Sequence, residues 1–81
     1  IKSTMSEIVV SEKMLENGKR LMDMSMPENT LAVLVKRNGA YFVPQGNTEL
    51  SAGDKVLVIS DNAEELEKLY KKFGIESFKI N

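Results

Sequence analysis

Eighty-one residues, 42% of them apolar and 28% charged, suffice for one small domain with a single core and leave no room for a second. A net charge of −1, from 11 basic and 12 acidic side chains, argues against the basic stripe by which proteins grip nucleic-acid phosphates. The absence of cysteine and histidine removes disulfides, thiolate chemistry, the common zinc ligands and the usual general base near neutral pH.

Ile1-Lys2-Ser3-Thr4-Met5 is neither an initiator methionine nor a signal peptide, so the chain reads as the cut end of a longer polypeptide. Glu7 to Ser11 is β-branched and bounded by polar residues, which predicts a first strand. Glu12 to Asn17 is a connection. Gly18 to Met24 predicts a short helix with Leu21 and Met24 on one buried face, stopped by Pro27.

Thr30 to Arg37 is the longest strand candidate. Simple alternation puts Leu31, Val33 and Val35 on one face and Ala32 and Leu34 on the other, so both faces are apolar as far as Lys36. Asn38-Gly39 accepts the positive φ of a type I′ turn and closes a hairpin with Ala40 to Val43. Pro44 ends that strand because it has no N–H for the ladder. Gln45 to Thr48 is a polar loop, and Leu50 is a lone apolar residue suited to plugging the core edge.

Ser51 to Asp54 is a turn into Lys55 to Ser60, another apolar strand. Asp54 is placed to satisfy nearby backbone N–H groups. Asp61 or Asn62 caps the next helix, and Asn62 with Glu65 has capping-box spacing. Leu66, Leu69, Tyr70 and Phe73 form its apolar stripe. Glu64 with Lys68 and Glu67 with Lys71 lie four apart, and Gly74 stops the helix. Glu76 to Ile80 alternates as a short edge strand.

The predicted fold is a single α+β domain ordered β-α-β-β-β-α, with a mainly antiparallel sheet and helices packed on it. No apolar run approaches the roughly 18–20 residues of a membrane span, so the fragment does not itself enter a bilayer.

An ordered set of residues now has a family likeness: Ser11, Gly18-Lys19-x-Leu21-x-x-Met24, a Pro-led strand ending Lys36-Arg37-x-Gly39, Val43-Pro44, and Leu50-x-x-Gly53-Asp54-x-x-x-Val58. It resembles the RCK C-terminal domain, also called the TrkA C-terminal domain, over about Glu7 to Gly74. The exit Met26-Pro27-Glu28-Asn29-Thr30 is most similar to the version on bacterial potassium/proton antiporters. The resemblance implies a domain excised from a membrane transporter and lying on the cytoplasmic side of the cell membrane. It implies a homodimer working with the transmembrane transport domain of its parent chain.

Some members of that family bind cyclic di-AMP between subunits, at the segment joining the short helix to the next strand. The matching residues are Met24, Met26, Pro27, Glu28, Asn29, Thr30 and Leu31. This segment carries no lysine or arginine. That departure favours a second reading, a ligand-free assembly module of another ion channel or anion transporter. By chemistry alone, Met22, Met24 and Met26 are either core and gap filler or an adaptable apolar cleft. Gly18-Lys19-Arg20 could meet an anion at a helix start, but a helix this short offers a weak site and solvated charges explain the stretch better. Tyr41 and Phe42 face opposite ways and cannot both stack bases. No residue pattern suggests a catalytic site, a metal site or a cofactor, and the chain reads as a binding module rather than an enzyme.

Overall fold

The computed structural model describes residues 4–80. Among them, strands β1 (Thr4–Val9), β2 (Thr30–Arg37), β3 (Ala40–Phe42), β4 (Lys55–Ser60) and β5 (Ser77–Lys79) form one antiparallel sheet in the order β3-β2-β4-β1-β5. Helix α1 (Ala63–Phe73) packs across one face of it. Two single-turn 3-10 helices, Lys13–Leu15 and Leu21–Asp23, lie in the long β1–β2 connection. The result is the α+β domain that the sequence predicts, with β4 at its centre.

The core is the layer between sheet and helix. Ile8, Val10, Val35, Leu50, Val56, Val58, Leu66 and Tyr70 are buried there, and Met14, Leu15, Leu21, Met24 and Met26 close its margins. Leu50 plugs the edge as its isolation in a polar stretch suggests. Leu66 and Tyr70 are the buried positions of the α1 stripe, while Leu69 and Phe73 are half-buried at its side. Asn38 at φ 51° and Gly39 at φ 80° make the hairpin turn, and Gly74 at φ 61° ends α1.

The structure differs from the sequence reading in four places. The helix expected over Gly18 to Met24 is a single 3-10 turn, because the backbone donors there bond sideways. Leu21 N–H donates to Thr48 O and Met22 N–H to Gly46 O, and Arg20 bridges to Glu49. The connection from Glu12 to Asn17 gains its own 3-10 turn, with Ser11 O accepting from Met14 N–H.

Alternation along β2 slips at Val33. Ala32 pairs with Val58 and Leu34 with Leu57, leaving Val33 as an extra residue in the ladder. Consequently Ala32 and Val35 face the core, whereas Leu31 and Leu34 face away. Both faces of β2 are apolar as expected, but their membership changes after the bulge.

At α1 the expected capping box does not form. Asn62 makes no side-chain cap, and its N–H donates to Ser60 Oγ instead. The helix-surface ion pair joins Lys68 to Glu65 at 3.0 Å, three residues apart rather than four.

Candidate functional site

The segment Met24 to Leu31 crosses from one face of the sheet to the other. Asp23 N–H and Met24 N–H close the 3-10 turn onto Arg20 O and Leu21 O, and Met24 then leaves it in an extended conformation. Met24 and Met26 line a groove of about 80 Å³ beside the second half of α1, together with Ile8, Met14, Leu69 and Phe73. The walls are mainly apolar, with Asn17, Asp23 and Ser25 adding polar groups, and the methionines are flexible, so the groove can adapt its shape. Its volume is below the roughly 300–1,000 Å³ of pockets that enclose drug-sized ligands.

Pro27 is half-buried, and Glu28 and Asn29 stand exposed at the bend. Asn29 takes φ 58°, a left-handed conformation that asparagine tolerates, and its carbonyl accepts from Asp61 N–H. Thr30 Oγ1 lies 2.7 Å from Ser60 Oγ, tying the start of β2 to the end of β4 on the core side. Leu31 emerges on the opposite face and is 63% exposed. The structure therefore brings Met24 and Met26 together in the groove, and sets Leu31 away from them across the sheet.

The turn before this segment is held by a local lock. Asp23 accepts from Arg20 N–H at 3.0 Å and from the Arg20 guanidinium at 3.2 and 3.1 Å. These bonds hold the Asp23 carboxyl below its ordinary pKa. A side chain on Gly18 would meet Asp23 Oδ2 at 2.5 Å, and Gly18 sits at φ 138°. Only glycine fits there. The Gly18-Lys19-Arg20 stretch is thus committed to building a turn, and the helix start that an anion would need is not formed.

Arg37, which the sequence marks only as the end of a strand, ties two parts of the sheet together. Arg37 reaches from β2 to the buried Asp54, donates to Glu49 O at 3.0 Å, and lies 5.2 Å from the Phe42 ring centroid. Asp54 in turn accepts from Ser51 N–H at 2.8 Å, the backbone role the sequence suggested. The Arg37 hydrogen bonds hold its carboxyl below the ordinary carboxylate range, helped by Ser51 N–H.

A second hollow of about 220 Å³ lies between α1 and the β1–β5 edge, lined by the hydroxyl-bearing Thr4, Ser6, Tyr70 and Ser77. Ser6 Oγ and Tyr70 OH bond to each other at 2.9 Å. Burial pushes the Tyr70 phenol up. Among the described residues no buried side-chain nitrogen or oxygen lacks a partner, so no orphaned polar atom there calls for a ligand.

The sheet's other face is the largest feature sequence reasoning saw only in part. α1 and the methionine-bearing turns pack on the core side. The ladder register puts Leu31, Ile59 and Met5 in one row across the far face, and Leu34 and Leu57 in the next. Tyr41 joins them opposite Lys36. Counting alternation outward from Asn38-Gly39 would have found Tyr41 and Val43 there.

Comparison with known proteins decides the family. The TrkA-C domain family matches residues 5–74. The chain belongs to the TrkA-C domain family. This TrkA-C domain is 37% identical over 73 residues to the Trk system potassium uptake protein TrkA homolog of Archaeoglobus fulgidus. The match covers 90% of the chain described here and 16% of that relative. No helix among the described residues is long and apolar enough to cross a membrane.

Proposed function

We propose that this TrkA-C domain is the cytoplasmic regulatory part of a membrane transporter that exchanges potassium for protons. It acts as a homodimer joined to the transmembrane transport domain of its parent chain. Binding rather than catalysis is its work, in keeping with a chain that has no histidine or cysteine. The observation that carries the reading is the family match over residues 5–74, joined to a relative whose name is that of a potassium uptake protein.

In this reading the segment from Met24 to Leu31 takes a small cytoplasmic ligand such as cyclic di-AMP. The groove of about 80 Å³ in one chain cannot enclose a dinucleotide. A second subunit supplies the remaining walls. The ligand then biases transport by favouring one relative orientation of the two subunits, and it can do so only through a difference in affinity between them.

Calorimetric titration with cyclic di-AMP tests the sensing step. At a free ligand concentration one hundred times Kd, binding stabilises by about 2.7 kcal/mol. For a domain of this size that raises Tm by at least roughly 10 °C. No heat and no shift in Tm removes the ligand from the account.

A second reading has its own support. Residues 24–31 contain no lysine or arginine, so an anionic nucleotide finds no cation within the segment. On that ground the domain is a ligand-free module that assembles the subunits of another channel or an anion transporter. A dimer that ignores nucleotides selects this second reading.

A further inference from the structure

We propose that Met24 and Met26 form a reversible oxidation site, at which a peroxide converts the thioethers to sulfoxides and frees the segment that leads into β2. The site needs no ligand in the groove: it follows from how this segment is held.

Four of the five methionines, Met14, Met22, Met24 and Met26, lie in the β1–β2 connection. With no cysteine in the chain, its sulfur chemistry is thioether chemistry. From Ser25 to Pro27 the backbone makes, among the described residues, one hydrogen bond, from Met26 N–H back to Met24 O at 2.8 Å. That bond ties the segment to itself and not to the sheet. Pro27 has no N–H to add. Side-chain packing therefore fixes the path. Met24 and Met26 are half-buried against the core, in the groove they share with Leu69 and Phe73, while Ser25 and Glu28 are exposed. A segment with few backbone bonds and a pair of apolar anchors opens locally before the domain unfolds.

The four methionines are not equivalent. Met22 is 58% exposed and lies against Gly46, outside the groove. Met14 lines the groove, but its sulfur accepts from Ser11 N–H at 3.4 Å, which occupies a lone pair. Among the described residues no donor reaches the sulfur of Met24 or Met26. Their groove holds about 80 Å³. A single water needs roughly 10–15 Å³ of such space, so hydrogen peroxide, little larger than water, can enter.

The sulfur lone pair attacks one peroxide oxygen. An S–O bond forms, the O–O bond breaks, and the departing hydroxide takes the remaining proton and leaves as water. Sulfur is oxidised and the peroxide reduced by the same electron pair. The product is a polar sulfoxide at a position that packs because it is apolar. Keeping the new oxygen against Leu69 and Phe73 forfeits its water, so the lower free energy lies with the residue outside the core. Methionine sulfoxide reductases A and B, one for each epimer, remove the oxygen and reset the segment.

Peroxide treatment of the chain, followed by peptide mass spectrometry and amide hydrogen exchange, tests the site. Oxygen is expected to add at Met22 first, then at Met24 and Met26 in the folded domain. With that later step, exchange of Met24 N–H and Met26 N–H, bonded to Leu21 O and Met24 O, is expected to quicken roughly tenfold or more while β4 stays protected. Treatment with both reductases should restore slow exchange. Met24→Leu combined with Met26→Leu keeps the apolar volume, and peroxide should then leave exchange unchanged although Met22 is oxidised. Sulfoxides at 24 and 26 with unchanged exchange overturn the proposal, as does oxidation confined to Met22 in the folded chain. Equal loosening in the double leucine variant, or loss of protection throughout β4, overturns it too.

Discussion

Arg37 grips Asp54 in a two-point ion pair, with Nε 2.9 Å from Oδ1 and Nη2 2.6 Å from Oδ2. Asp54 is only 3% exposed, so its charge depends on this partner and on Ser51 N–H. The pair joins the end of β2 to the turn that launches β4. Asp54→Asn is expected to cost about 2 kcal/mol, read as a lower denaturant midpoint.

The same pair sets an acid limit. The folded-state carboxyl lies below its ordinary value, mainly through Arg37. The unfolded chain therefore takes up this proton more readily than the native one. The contribution is full above the unfolded pKa near 4 and is lost as pH falls through the depressed folded value. Denaturant melts at descending pH should show this loss in the wild type and a weaker slope in Asp54→Asn.

Gly18→Ala is expected to destabilise the domain by about 1–3 kcal/mol. The added methyl meets the Asp23 carboxylate at 2.5 Å while φ stays at 138°. Asp23→Ala in the same background removes the carboxylate but keeps the Asp23 Cβ, which the new methyl meets at 2.7 Å, and it also breaks the bonds to Arg20, so thermal melts of single and double variants should show no rescue.

Tyr70→Phe removes the partner of Ser6 Oγ, which is 4% exposed. The expected cost is about 1–2 kcal/mol. Burial raises the folded phenol pKa, so stability from this group is complete below its unfolded value near 10 and declines as pH rises beyond it. The variant should show less alkaline loss than the wild type in melts taken above that pH.

Glu28 stands exposed at the bend of the proposed ligand segment. Glu28→Lys replaces a negative charge with the cation that the segment lacks. If cyclic di-AMP binds there, its affinity is expected to rise roughly 5–10-fold, about 1 kcal/mol, by calorimetry at low salt. An unchanged affinity would move the ligand elsewhere.

Periodicity and turn chemistry made most of the fold legible in the sequence. Asn38-Gly39 fixed the hairpin, and the Leu66 to Phe73 stripe fixed α1 and its buried side. Illegible features were those in which a distant group overrides a local preference. The turn at Leu21 follows from backbone bonds to Gly46 and Thr48, which no local window contains. Val33 reads as an ordinary strand residue, and its bulge appears only when β2 is laid against β4. The Arg37–Asp54 pair spans 17 residues and likewise has no local signature. For the site, residue chemistry picked out the methionines. The division of residues 24–31 between two faces of the sheet required the path of the chain.

Small-angle X-ray scattering at high concentration tests the central claim most directly, that one apolar side of the sheet needs a twin to cover it. A single chain has a Cα radius of gyration of 11.6 Å. The account predicts a clearly larger radius and twice the forward scattering, both falling toward monomer values in Leu31→Lys. A wild-type curve that stays at the single-chain radius at every concentration would contradict it.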